Sequence, residues 1–548
     1  MTTQVKVACE YLVNYVKSFN KSRQRKLNQL RAQWGKPVER YRDFPLIAIL
    51  HSILKKEAKN KLDFVDDRTW FDLNLDQIFE KIDCSVSTVG SQFLYHSLRK
   101  YEFDEKILKQ RSDYYQIFQQ NSDLREKIQL IMLRLKNSRS GFISHLIFNE
   151  IPEKPKIFPF IYLSSFLSIA ATVAISIYPP ILFVMMALAI INIILNKIYA
   201  KDAYAYFYGL NYLNIMLGMV EDLGHLNTDD EIPEIDFLKK QRKFANRLKG
   251  KIGWLVIDRS RMNELTEAFI DYLNIICLFD LVTFFRSIND LKNHQGEIQE
   301  IFKAVARLDA SIGIASYLSQ SEHCVPEFKK NVPLQFRQIY HPLLEKPVAN
   351  DFVAGEKSCL ITGSNMAGKT TFIKTVGVNF ILAQTLHFCL AENAIIPHKI
   401  IKSSIQRGDQ IIDGKSYYLV EVEALLEFIR LSENSHNFLF LVDEIYRGTN
   451  TVERIAAATA ALEYLGRSNF VMVTTHDIEL QDLLVDSYEM YHFNEQVEKD
   501  VYFFDYKIKS GPCVSRNAIK LLELTGYPKS ITEQAHQLAN DYSGRNPD

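Results

Sequence analysis

Eight consecutive residues, Gly363-Ser364-Asn365-Met366-Ala367-Gly368-Lys369-Thr370, fit the spacing GxxxxGK[ST]. Glycines at both ends let a backbone curl until its N–H groups point inward at phosphate oxygens, and the amino terminus of a following helix adds a favourable dipole. In such a loop Lys369 reaches the β and γ phosphates, and the Thr370 hydroxyl is placed to ligate Mg²⁺. A metal-holding acid is needed nearby, and Phe438–Val442 runs directly into Asp443-Glu444. Asp443 is expected to hold Mg²⁺ through water, and Glu444 to polarise the water that attacks the γ-phosphate. A third apolar run delivers Thr475-His476, where His476 is expected to sense the γ-phosphate or to orient that water. The combined chemistry is nucleotide hydrolysis; these residues leave the base open.

Three short β-prone runs must position those groups: Ser358–Thr362 (SCLIT), Phe438–Val442 (FLFLV) and Phe470–Thr474 (FVMVT). Each is continuously apolar and ends in chemistry-bearing residues, as parallel strands do when buried on both faces with active loops at their carboxyl ends. The run Thr371–Gln384 reads as the helix after the loop. Tyr488–Phe493 and Val501–Ile508 read as a strand pair on a sheet edge. Upstream, residues 61–156 and 200–330 show helical apolar spacing with few Gly or Pro and read as one helical region in two parts. Residues 1–60 read as helical and locally basic. Nine Lys or Arg between Lys17 and Arg42 face a single Glu39, which suits nucleic acid, anionic lipid head groups or an ordinary solvated helix face.

Between the two helical parts lies a different texture. From Ile157 to Asn196, forty residues contain no Asp, Glu, Lys, Arg or His. A bilayer core takes about 20 helical residues per crossing, so this length predicts two crossings, with Pro179-Pro180 at the turn. Arg134, Lys136, Arg139, Lys154 and Lys156 precede the stretch, and Lys197 and Lys201 follow it. The positive-inside rule then puts both ends in the cytoplasm. The expectation is a hairpin over Ile157–Tyr199 in the lipid bilayer of a cytoplasmic (inner) membrane. Ala268–Ile288 is also apolar but carries Asp271, Asp280 and Arg286, and is expected to be an amphipathic core helix. Over all 548 residues, 65 Lys and Arg balance 65 Asp and Glu, which excludes a globally basic nucleic-acid coat. Seven cysteines without CxxC spacing read as reduced intracellular thiols, and no secretory signal is read at the start.

The chemistry-bearing stretches resemble the MutS mismatch-repair ATPases, within the wider group of ABC-type ATPases. TGSNMAGKTTFIKTVGVNFILAQ (Thr362–Gln384) is similar to that family's phosphate loop and helix, including its Asn-Met pair. LVDEIYRGTNTVERIAAATAALEYL (Leu441–Leu465) resembles its acidic strand and following helix, and VTTHDIEL (Val473–Leu480) its histidine switch. GDQIIDGKSYYLVEVEALL (Gly408–Leu426) is similar to the loop that crosses a dimer to the partner's nucleotide. Ser510–Ala535 resembles the closing helical segment, His341-Pro342 the opening of the ATPase domain, and Thr69–Lys100 and Ala306–Phe328 parts of the helical core. This resemblance implies ATP and Mg²⁺ as cofactors, Thr371 beside the loop in the nucleotide-binding set, Ser416 acting in trans, and Asn450 at the boundary of a homodimer. Ser364, Tyr446 and the pair Tyr417-Tyr418 depart from the family's usual Pro, Gly and Thr-Phe.

The fold class expected is an α/β P-loop (ABC-type) ATPase domain at the C-terminus plus an all-α core or lever domain interrupted by a two-helix transmembrane hairpin. Its parts are residues 1–60, a basic helical segment; 61–156 and 200–330, the core; 157–199, the hairpin; and 331–548, the ATPase domain with a dimerisation segment. No mismatch-reading domain or DNA clamp is expected. Two functional readings stay open. One is a membrane-tethered ATPase whose dimer closes on DNA; the other is a membrane-anchored ATPase acting on protein partners or the membrane without DNA.

Overall fold

The computed structural model describes residues 21–199, 204–252, 266, 272–274, 276–330, 333–364, 367–405, 417–434, 437–446, 450–498, 501–513, 519, 522 and 526–543. Asn365, Met366 and Ser416 lie outside the described residues, as does Ala268–Asp271 of the expected amphipathic helix. The chain divides into two compact units.

The first unit gathers Met1–Lys61, Phe79–Arg99 and Gln110–Gln320, and every regular element among its described residues is a helix. Helix α1 (Thr88–Arg99) and the long α7 (Gln295–Leu318) pack together. Between them, fully buried Asp309 accepts hydrogen bonds from Val86 N (3.0 Å), Ser87 N (2.7 Å) and Ser87 Oγ (2.6 Å). A buried carboxylate needs those donors, because an unpaired one would cost several kcal/mol. The forty-residue apolar stretch folds into α2 (Phe158–Ala174) and α3 (Ile181–Tyr199), with Pro179-Pro180 in the turn. Among the described residues, α3 alone is both long and apolar enough to cross a membrane, with mean hydropathy 2.3; α2 is shorter. Helices α4 (Tyr204–Leu223) and α5 (Pro233–Ile252) follow side by side, tied by Arg242 Nε to Glu221 Oε1 at 3.1 Å. The expected amphipathic helix becomes α6 (Phe279–Asn293), preceded by Leu278 in the left-handed region at φ +55°.

The second unit gathers Leu62–Ile78, Lys100–Lys109 and Ser321–Asp548. Four strands, β1 (Glu327–Phe328), β2 (Leu334–Ile339), β3 (Asn350–Ala354) and β5 (Asn393–Ile396), form a small sheet in the order β1-β5-β2-β3. The main sheet has the order β10-β9-β4-β8-β7-β6, built from β4 (Ser358–Thr362), β6 (Ile400–Ser404), β7 (Phe438–Asp443), β8 (Phe470–Thr475), β9 (Tyr488–Glu498) and β10 (Val501–Ser510). All its pairings are parallel except β9–β10. The three apolar runs are thus neighbours at its centre, and the late strand pair closes one side: β9 lies against β4, and β10 forms the edge. Helices α8 (Lys369–Leu386), α9 (Tyr417–Asn434) and α10 (Thr451–Gly466) connect the strands. The core beneath α9 and α10 is aromatic: Phe428 stacks on Phe440 at 4.7 Å and Phe438 on Phe440 at 5.4 Å.

Two upstream segments complete this second unit. The helix Asp67–Asp72 is capped by Asp66, whose side chain accepts from Thr69 N at 2.9 Å. Buried Asp72 then accepts from Ser403 Oγ (2.7 Å) and Ile405 N (2.9 Å), satisfying the exit of the outermost strand β6. That strand would otherwise present an unpaired edge.

Candidate nucleotide site

Parallel registry brings the carboxyl ends of β4, β7 and β8 level. Thr362 pairs with Thr475, and Asp443 with Thr474. The loop Gly363–Thr370 leaves β4 at that edge and enters α8 through Gly368. Gly363 has φ +139°, and a Cβ there would stand 2.8 Å from the Phe493 carbonyl; Gly368 has φ +99°. Both angles disfavour any side chain, so the glycines found by spacing are those the backbone requires.

Lys369 is buried. Its ammonium donates to Gly363 O (2.7 Å) and Ser364 O (2.8 Å) and stands 3.4 Å from His476 Nδ1. The lysine therefore bonds back to the carbonyls at the start of its own loop. Ser364 Oγ is buried with no hydrogen-bond partner. Buried polar atoms are rarely left so, and an orphaned hydroxyl beside a recessed ammonium suits an anion. Thr370 Oγ1 donates to Asp443 Oδ2 at 2.8 Å, and Thr474 Oγ1 donates to the other oxygen. A hydroxyl and a carboxylate in direct contact form an oxygen donor set for a hard divalent cation, so the residues fit Mg²⁺.

Glu444 adopts φ +57° and Tyr446 φ +56°. Left-handed backbone at non-glycine residues is costly and collects at functional sites. Here the Glu444 amide donates to Thr474 O at 3.0 Å, and its carboxylate pairs with His476 Nε2. His476 Nδ1 also lies 3.1 Å from Gly363 O. When the ring is neutral and Nε2 donates to Glu444, Nδ1 is the acceptor facing Lys369; as imidazolium it donates to Gly363 O. His476 thus links the loop to the acid.

Not every expected residue joins this cluster. Thr371 is exposed on the first turn of α8 and borders a cavity of about 370 Å³ lined also by Ile339, Tyr340, His341, Phe372 and Tyr506. Asn450 caps α10 locally, its side chain accepting from Val452 N at 3.0 Å. Sequence reasoning passed over Arg454 and Asp477, which form a two-pronged ion pair (3.0 and 2.6 Å) fixing α10 to the turn that carries His476. The available signal was the acid directly after the histidine in TTHD. It also passed over Lys374, whose burial lowers its ammonium pKa against the attraction of Asp72 and Asp443, and which donates to Asn74 Oδ1 at 2.8 Å.

Such an arrangement defines an α/β unit with a mainly parallel central sheet and a glycine-bearing loop between strand and helix at the sheet's carboxyl edge. Residues 359–543 match MutS domain V, so this part of the chain carries a domain of the MutS family. It is 30% identical over 253 residues to the DNA mismatch repair protein MutS of a Thermus thermophilus strain, covering 45% of this chain and 31% of that protein. The protein of the same name from Listeria monocytogenes serotype 4b is 33% identical over 269 residues, 46% and 31% of the two chains. That of Thermus aquaticus is 30% identical over 267 residues, 48% and 32%. The chain spans about a third of the length of these curated relatives.

Proposed function

We propose that this chain is a MutS-type ATPase with an α/β P-loop domain, which closes as a homodimer around ATP and is anchored in the cytoplasmic membrane by α2 and α3. The observation that carries the reading is the continuous linkage Lys369–His476–Glu444 beside Thr370–Asp443, five groups from three adjacent strand ends. Lys369 exchanges its two carbonyl acceptors for β and γ phosphate oxygens, a charge-assisted gain of the kind that favours ligand over loop. Backbone amides and the α8 amino terminus cradle the same phosphates. Thr370 and Asp443 would hold Mg²⁺, which supplies charge neutralisation to the phosphates when bound. Glu444 accepts the proton of the attacking water, and His476 keeps its carboxylate aimed. The cavity bordered by Thr371, His341 and Tyr506 gives the base and ribose a place beside the loop. Ser416 and Asn450 are assigned to the partner's nucleotide by the family resemblance, Asn450 in addition to its cap on α10, so hydrolysis requires two copies.

The names of the matched relatives support DNA as what the closing dimer grips, with mismatch reading set aside. Membrane attachment draws support from the outward faces of α2 and α3, where Val173 is 66% and Phe183 76% exposed, surfaces too apolar to favour water. Positive residues at both ends of the hairpin support placing the remaining chain on the cytoplasmic side.

The test is ATP turnover by detergent-solubilised protein, measured across protein concentration and with duplex, mismatched and branched DNA. Specific activity that rises as dimer forms, and rises again with DNA, is the expected outcome. Turnover indifferent to every DNA, with no salt-dependent binding, would favour action on protein partners or membrane. No ATP binding at all would end the proposal.

A further inference from the structure

Four polar residues of the hairpin are turned inward, while Thr172 and Ser176 are exposed, and two of the four, Ser165 and Asn192, reach a third segment of chain. Ser164, Ser165, Ser168 and Asn192 are each at least nine-tenths buried. Ser164 Oγ donates to Asn192 Oδ1 (2.6 Å), and Asn192 Nδ2 donates to Ser168 Oγ (2.8 Å), which joins α2 to α3. The same amide also donates to the backbone carbonyl of Ile276, and Ser165 Oγ donates to that of Cys277. Those two carbonyls sit where the helical backbone is interrupted at Leu278, φ +55°. An interruption of this kind frees carbonyls that need other donors, and the hairpin provides them. On the other side of the break, Asn274 Oδ1 accepts from Asp280 N at 2.9 Å and its amide contacts the Asp280 carboxylate. The start of α6 is therefore capped, and its acid is paired within the segment.

Two contacts fix the level of this break along α2. Cys277 meets Ser165, whereas Phe285 meets Phe158, ring centroids 6.1 Å apart. Helix α6 thus runs antiparallel to the first two turns of α2. At 1.5 Å rise per residue, the seven residues from Phe158 to Ser165 place the break about 10 Å inward from the α2 amino terminus. Tyr272 and Leu273, just before it, are 70% and 39% exposed. Cys277, Leu278, Leu281, Val282, Phe284 and Phe285 are buried and apolar.

We propose that residues 272–274 and 276–285 form a third membrane element, dipping about 10 Å into the cytoplasmic leaflet beside the hairpin and returning along α6, with Tyr272 and Leu273 facing lipid acyl chains. This rests on the membrane reading of α2 and α3. Irregular backbone at that depth is tolerated where neighbouring protein satisfies it, and small hydroxyl and amide side chains are the usual means. The partner is the acyl region of the leaflet, and the helical unit is held to the bilayer at three places.

The experiment reconstitutes the full chain into phosphatidylcholine vesicles containing a phospholipid with a diazirine on its acyl chain. Illumination, proteolysis and mass spectrometry then locate the carbene adducts. The expected result is labelling of peptides from 158–174 and 181–199, and of the peptide bearing Tyr272 and Leu273 within about threefold of them. Labelled hairpin peptides with the 272–285 peptide no higher than the exposed peptide 239–247 would overturn this inference and leave the hairpin reading standing. Absence of label from the hairpin as well would overturn both.

Discussion

Replacing Glu444 by glutamine removes one proton acceptor and almost no volume. The backbone at this position is held independently of the side chain, by its amide on Thr474 O at 3.0 Å, so the turn should survive. The lost interaction is the pair with His476, whose side chain is 34% exposed against 10% for Glu444. Solvent screening of so open an imidazole limits the stability change to about 1 kcal/mol or less. Loss of a positioned base costs about 10²- to 10⁴-fold in rate, or about 2.7 to 5.5 kcal/mol of barrier. The two effects are therefore separable. Lys369, Thr370 and Asp443 keep their contacts in Glu444→Gln, so nucleotide binding should persist while turnover collapses. The assay pairs phosphate release at saturating ATP with filter retention of labelled nucleotide and a thermal melt on one preparation. Turnover within tenfold of wild type, with binding intact, would refute Glu444 as the base; lost binding with an unchanged melt would move it to the binding set.

Lys369→Ala should lose nucleotide retention, and undiminished retention would show that the loop amides suffice alone. Gly363→Ala should destabilise by about 1–3 kcal/mol, because its Cβ would stand 2.8 Å from the Phe493 carbonyl at φ +139°; an unchanged denaturant midpoint would show that the loop relaxes freely. Asp66→Ala should cost about 1 kcal/mol or more through the lost cap. Burial alone would raise the Asp66 pKa, but Lys402, 3.1 Å away, and the Thr69 N–H and hydroxyl hold it below the ordinary carboxylate range. With the folded value depressed, the wild-type advantage from this charge should be complete above about pH 4 and fade as pH falls through the folded value. A gap between wild type and variant that widens on acidification would contradict that sign. Deletion of 157–199 should remove the main membrane anchor, so that far less of the chain stays in the pellet after a carbonate wash, and undiminished sedimentation would count against the hairpin.

The sequence alone determined what local spacing can specify. The glycine loop, the three apolar runs and the residues ending them were legible because burial on both faces leaves a continuous apolar signature and because the loop's chemistry lies in eight adjacent residues. The Pro-Pro turn between two apolar helices was legible for the same local reason. What only the tertiary structure decided are pairings between groups far apart in the chain. His476 meets Glu444, and Thr370 meets Asp443, because parallel registry levels three strand ends. Arg454 finds Asp477 across a helix and a strand. Asp72 leaves the upstream helical texture to close the edge of β6, a role its composition could not announce. The break at Leu278 reads as ordinary apolar helix in sequence, and it persists because donors on α2 and α3 satisfy the carbonyls it frees. Backbone hydrogen bonds must be satisfied somewhere, and where the partner is non-local, only the folded chain says which residue provides it.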